Sequence, residues 1–250
     1  MAVKEIIEAR WKLIIGAAIC VVLAAALAAS YDLIKRMLTH ANLQQAPQSL
    51  QGQIQGLLGS YDIYVWSQWF GKNGAQVLAV LAAVLGCSLI ASEVNKGTIF
   101  FLLSRPVSRV RVLLVKYAVS AGMLLAITVV SSAALLVTAA ILGHPQHLGG
   151  MAISTVLLWL GTLFVLGLAT LFSVLFKDIL RPLLLALIIT VITVIPSFIP
   201  NWGDWSLPGY WTSQAAYLGQ EFPTKALIIC LVAAVVPMVL AVPLFRRQAY

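Results

Sequence analysis

Six stretches of this 250-residue chain run for about a membrane's thickness without a single Asp, Glu, Lys or Arg. They are Leu13–Tyr31, Asn73–Ser92, Tyr117–Gly143, Leu148–Phe176, Leu183–Gly203 and Ala226–Phe245. A spanning helix needs about 20 mostly apolar residues. Lipid offers the backbone no hydrogen-bond partners, so segments of this kind fold as helices rather than isolated strands. The chain is 61% apolar and only 10% charged, too little charge to cover a soluble domain of this length. The expectation is an all-α integral membrane protein in one domain, 1–250, with six transmembrane helices. The spans fall at about 13–31, 73–92, 113–143, 150–176, 183–200 and 226–245.

Charge sets the orientation. With both ends in the cytoplasm, the inner segments are 1–12, 93–116, 177–182 and 246–250, and they hold 12 of the 16 Lys/Arg. The outer segments hold four: Lys35, Arg36, Lys72 and Lys225. Acids divide four and four, so the whole +8 net charge lies inside. The excess of cytoplasmic Lys/Arg predicts N-in, C-in. The same arithmetic accounts for the basicity through topology and removes nucleic acid as the expected partner.

The N-terminus carries a pattern of its own. Val3, Ile6, Ile7, Trp11 and Ile14 fall on one helical face, with Lys4, Glu5, Glu8 and Lys12 on the other. This predicts an amphipathic helix over 1–12, lying in the membrane interface. A cleaved signal peptide is the alternative, since Lys4, Arg10 and Lys12 precede the apolar run and Ala26-Leu27-Ala28 resembles a cleavage site. The uninterrupted 19-residue run at 13–31 argues for retention. Cys20, Cys87 and Cys230 all lie inside spans without CxxC spacing, which reads as packing. His40, His144 and His147 lie in outer loops, and no metal site is expected from them.

The first outer loop, 32–72, is Gln-rich in its middle (Gln44, Gln45, Gln48, Gln51, Gln53, Gln55) and ends in an aromatic run, Tyr61 to Phe70. Aromatic residues favour the headgroup level, so interfacial anchoring is one reading. The other is an outer gate or substrate rim formed by Tyr64, Trp66 and Trp69. The loop from Asn201 to Lys225 repeats the theme with Trp202, Trp205, Tyr210, Trp211 and Tyr217.

No Asp, Glu, Lys, Arg or His occupies the centre of any span. Ion- and proton-coupled carriers place such groups near the midplane, and channels show polar rings. Here the polar content is hydroxyl, including Thr128, Ser131, Ser132 and Thr138 on the third span and Thr155, Thr162, Thr170 and Ser173 on the fourth. Packing is their ordinary role. Pro182 suits the first turn of the fifth span, Pro196 and Pro200 should kink or end it, and Pro237 and Pro243 should bend the sixth. The sequence contains no G-x-x-x-x-G-K-[ST], GxSxG or HExxH motif. Neither a nucleotide site nor an enzyme centre is expected, and no cofactor is assigned to this chain.

Between the second and third spans lies a polar, basic segment, Glu93 to Lys116, holding five of the 16 Lys/Arg. It opens on Glu93-Val94-Asn95-Lys96-Gly97-Thr98, continues through the apolar run Ile99 to Leu103, and closes on Ser104-Arg105-Pro106-Val107-Ser108-Arg109. The order Glu93, Gly97, Thr98, Leu102, Leu103, Ser104, Pro106, Val107, Ser108, Arg109 and Lys116 resembles the permease subunits of ABC-2-type ATP-binding cassette transporters, including the NosY-like branch. Topology and length extend the resemblance over the chain and imply an ABC-2 (type V exporter-like) permease fold.

The resemblance implies that 93–109 is a cytoplasmic coupling segment docking on a separate ABC ATPase, present in two copies, which binds the ATP and Mg. It also implies a second permease copy or paralogue, a multi-pass location in the inner (plasma) membrane, and export of a hydrophobic, peptide or lipid-like substrate. Within the segment, Lys96 to Leu103 would form a short helix after a sharp turn at Gly97. Ile99, Phe100, Leu102 and Leu103 would make its apolar contacts, and Pro106 would end it. Ser108 stands where the third span needs a cap. Arg105, Arg109 and Arg111 would pair with acidic groups of the ATPase or with lipid phosphates. Glu93, an acid among bases, needs a partner, and Arg109 or Lys96 is expected to supply it. Two rival readings remain: a membrane transmitter that uses ATPase strokes without passing cargo, and a self-powered secondary carrier.

Overall fold

The apolar stretches fold as helices, and the first and last of them overrun their uncharged segments at both ends. The computed structural model describes residues 2–40, 56, 59–95, 97, 108–144 and 146–248. In chain order these are α1 (Ala2–His40), α2 (Tyr61–Cys87), α3 (Ala91–Asn95), α4 (Arg109–Ile141), α5 (Leu148–Leu175), α6 (Leu180–Ile192), α7 (Leu207–Trp211), α8 (Gln214–Tyr217) and α9 (Thr224–Arg247). Among the described residues there is no strand, and six helical stretches, the fifth running Leu180–Phe198 through a 3-10 turn, are long and apolar enough to cross a membrane. The molecule is an all-α, multi-pass membrane protein.

Two helix starts lie far from the sequence reading, for one physical reason. Residues 2–12 are not a separate interfacial helix; they are the first turns of α1, one helix of 39 residues. The second spanning helix begins at Tyr61 rather than near residue 73, so the aromatic run lies within it. Uncharged stretches mark where a helix can touch lipid, whereas the hydrogen-bonded helix continues past that zone. Lys72 is exposed on α2, consistent with a long side chain reaching polar surroundings from a helix flank. Within α2, residues Trp66–Asn73 are wound as a π-helix, a rare geometry that adds a residue to the turn. There the Gly74 N–H reaches back five residues to the Trp69 carbonyl.

α5 is the central helix, packed against α2, α4, α6 and α9, while α1 runs along α4. Between lipid-embedded helices the hydrophobic effect supplies little drive, so close backbone approach through small residues matters. At Gly86 of α2 a Cβ would lie 2.6 Å from the Ala169 Cβ and 2.7 Å from the Leu166 carbonyl oxygen on α5. The core forms three layers: a large aromatic one centred on Tyr64, Trp69 and Phe70, a middle one around Leu124 and Val165, and a third around Ile90, Leu113 and Phe245. Thr128, Ser131 and Thr138 bond back to their own helix, as do Thr155, Thr162 and Thr170. Cys20, Cys87 and Cys230 are free and buried.

α6 stops at Ile192, before a 3-10 turn over Ile195–Phe198 that contains Pro196. α9 instead runs continuously through Pro237 and Pro243. The segment after α6 folds back onto α5 and α9 through α7 and α8. Its aromatics divide: Trp211 and Tyr217 are buried in the aromatic core, while Trp202 and Trp205 are exposed.

Candidate functional site

α2 ends at Cys87, and α3 starts four residues later, so the break leaves backbone N–H groups without helical partners. Ser173, fully buried on α5, supplies the acceptor: its Oγ takes the N–H of Ile90 at 3.0 Å and of Ala91 at 2.9 Å. This cap holds α3 against the central helix, and α3 carries Glu93. Gly97 follows with φ of 70°, a left-handed turn that glycine adopts without a Cβ penalty.

Glu93 is ion-paired with Lys116, Nζ to Oε1, at 3.0 Å. Lys116 sits seven residues into α4, about 10 Å along its axis. Its side chain is 3% exposed, and it holds a second acid. Glu5 of α1 brings Oε1 to 2.9 Å and Oε2 to 3.0 Å of the same Nζ. The two carboxylates are 14% and 18% exposed for Glu5 and Glu93. A lysine this buried is costly unless paired, and here two anions from two other helices surround it.

The partner expected for Glu93 was Arg109 or Lys96, and the observed one is Lys116. The reason is helix geometry. Two turns of α4 bring Lys116 to the level of α3, while the Arg109 guanidinium donates to the backbone carbonyl of Gln248 beyond α9. Lys96 lies outside the described residues. Beside this cluster the Lys12 ammonium donates to Ser88 Oγ at 2.9 Å, joining α1 to the end of α2. Ser108 has extended backbone, and its Oγ accepts from the Arg111 N–H at 3.3 Å, capping α4.

The structure thus gathers both flanks of the 93–109 segment, α1 and the C-terminal end of α9 into one junction. Of the residues singled out there, Glu93, Gly97, Ser108 and Arg109 lie within it. Thr98, Ile99, Phe100, Leu102, Leu103, Arg105 and Pro106 lie outside the described residues. Sequence reasoning missed Glu5, Lys12 and Ser173. A signal existed for the first two: Glu5 and Lys12 are seven apart, two turns on the polar face of α1. Both reach neighbouring helices, while Ile7, Trp11 and Ile14 of the apolar face are exposed.

At the opposite ends of the helices, Tyr64 and Trp69 are buried. The Trp66 indole N–H donates to the Thr212 carbonyl at 2.8 Å, tying α2 to the folded-back segment. Tyr64 and Ser30 share a hydrogen bond of 2.8 Å between α2 and α1. His144 stacks on Tyr61 with ring centroids 4.3 Å apart, and its Nε2 lies 3.5 Å from Asp32 Oδ2. Tyr217 donates its hydroxyl to Gln146 Oε1. Burial, with Asp62 and Tyr61 beside it, pushes the Tyr217 hydroxyl well above the usual phenol range, so it remains a donor.

A family model described as ABC-2 family transporter protein matches residues 2–201, four fifths of the chain. The chain belongs to the ABC-2 transporter family. The match covers the junction's Glu5, Glu93, Lys116 and Ser173, and it singles out no branch of the family. A comparison with curated proteins finds no match. The ABC-2 protein is therefore a membrane component of an ABC transporter, and the family in general works with an ABC ATPase.

Proposed function

We propose that this ABC-2 protein is the permease of an ATP-driven exporter, moved by a separate ABC ATPase through the segment 93–109. Two ATPase copies bind and hydrolyse ATP with Mg, and a second permease copy or paralogue completes the membrane unit. This chain itself performs no hydrolysis. Cargo is hydrophobic, peptide or lipid-like, in keeping with spans whose centres carry no fixed charge. The protein sits in the plasma membrane with both ends in the cytoplasm.

One observation carries the reading: the two flanks of the segment are tied together by an ion pair at a polar junction. Glu93 on the leaving side is paired to Lys116 on the re-entering helix. Displacing α3 without α4 would separate that pair at a place where water is scarce, so the two flanks move together. The expected contacts for the ATPase are Ile99, Phe100, Leu102 and Leu103, with Arg105 beside them.

The test is Glu93→Ala in the permease–ATPase complex reconstituted in vesicles. Cargo probes are a hydrophobic fluorescent dye, an amphipathic cationic peptide and a fluorescent phospholipid. ATP-dependent export and probe-stimulated ATP hydrolysis should both fall at least tenfold. If both survive unchanged, the coupling role is wrong. If hydrolysis is coupled to motion but no probe moves, a cargo-free transmitter becomes the better account. Export without any ATPase would instead make the chain a secondary carrier.

A further inference from the structure

We propose that Lys116 is a positioning residue at a three-way joint, through which α1 follows the coupling segment and carries its displacement to the outer ends of the helices. The proposal rests on the ATPase-coupled reading above. It adds a moving part, the N-terminal helix, that the reading does not require.

The joint is unequal in a way that favours α1. Glu5 presents both carboxylate oxygens to Lys116 Nζ, at 2.9 and 3.0 Å, whereas Glu93 uses Oε1 at 3.0 Å. A second tie, Lys12 to Ser88 Oγ at 2.9 Å, lies two turns further along the same face of α1. Both ties run from α1 to the elements that bear the coupling segment. Drawing α1 away from α4 would strip a carboxylate from an ammonium that is 3% exposed. Glu5 would lose this cation in a poorly hydrated place, which disfavours any arrangement that splits the joint.

The opposite face of α1 resists movement far less. Ile7, Trp11 and Ile14 are exposed apolar side chains on it. In lipid, sliding such a face breaks no hydrogen bond and desolvates no charge. The helix is also continuous, 39 residues or about 58 Å, so a shift at Glu5 reaches the far end without an intervening loop. At that end Tyr31 packs edge-on to Tyr61 at 5.0 Å, Ser30 bonds Tyr64, and Asp32 faces His144. α1 therefore spans from the coupling segment to the aromatic cluster that ties the outer ends together.

The experiment uses the complete permease–ATPase complex in lipid nanodiscs, with Met37→Cys as a reporter near the outer end of α1. Met37 is exposed, and the three native cysteines are buried, so a water-soluble maleimide reads this position. Adding ATP and Mg2+ should change the labelling rate at least threefold with Glu5 intact. Glu5→Gln, which keeps the shape but removes the charge, should reduce that response to less than 1.5-fold. Glu5→Asp should give an intermediate response and serves if the Gln variant does not fold. Lys116→Arg should retain the response. No ATP response with Glu5 intact overturns the proposal. So does a full response in the Glu5 variants while Glu93→Gln is silent, in which case the coupling reading survives. A full response in Glu93→Gln overturns the coupling reading and the joint with it.

Discussion

A lysine buried beside two carboxylates is held by balance rather than by burial. Lys116 neutralises one charge and shares itself with a second, so removing the cation is worse than removing either acid. Lys116→Met should lower stability by about 3–5 kcal/mol, because it removes the cation that Glu5 and Glu93 share. Glu5→Gln should cost clearly less, since one anion still matches one cation. Thermal unfolding in detergent ranks the three proteins, and an equal loss for both variants would contradict the shared pairing. Ser173 makes a parallel case with a neutral group. Its hydroxyl is the acceptor for two buried N–H groups at the α2–α3 break. Ser173→Ala should cost about 1–3 kcal/mol and speed hydrogen exchange at Ile90 and Ala91, while Ser173→Thr keeps the acceptor.

Among the elements, α5 governs how the others assemble. Small residues let its neighbours approach to backbone distance, and the folded-back segment uses one such place. A Cβ at Gly161 would lie 2.5 Å from the Trp211 ring, so α7 docks only because no side chain is there. Gly161→Leu should push Trp211 out of its site and raise hydrogen exchange across 207–217, with little change in α4. Gly161→Ala should give a smaller effect, about 1–3 kcal/mol, because a ring can yield by a fraction of an ångström. α1 behaves differently. Its polar face is fixed to the bundle through Glu5 and Lys12, and its apolar face meets lipid. Such a helix can be located firmly at one end and still shift along its length.

For the whole molecule, the proposed orientation has a direct check. In intact cells a membrane-impermeant maleimide should label Trp205→Cys at once and Arg10→Cys only after permeabilisation. Both positions are exposed, and the native cysteines are buried. Labelling in the reverse order would invert the topology and put the 93–109 segment out of an ATPase's reach. The number of helices was legible in the sequence, because lipid imposes a length and a lack of charge on each helix separately. So was the Ser108 cap, which depends on residues only three apart. The extent of α1 and α2 was not, since hydropathy marks the lipid-facing zone and not the hydrogen-bonded helix. The partner of Glu93 was not legible either. Pairing depends on how α1, α3 and α4 are rotated about their own axes, and that is set by the close packing of helices whose contacts lie up to 111 residues apart. The sequence by itself therefore determined six apolar helices and a basic loop pattern, each a local property of composition and spacing. Only the tertiary structure decided that Glu5, Glu93 and Lys116 meet, because a buried charge takes whichever partner helix packing brings within 3 Å.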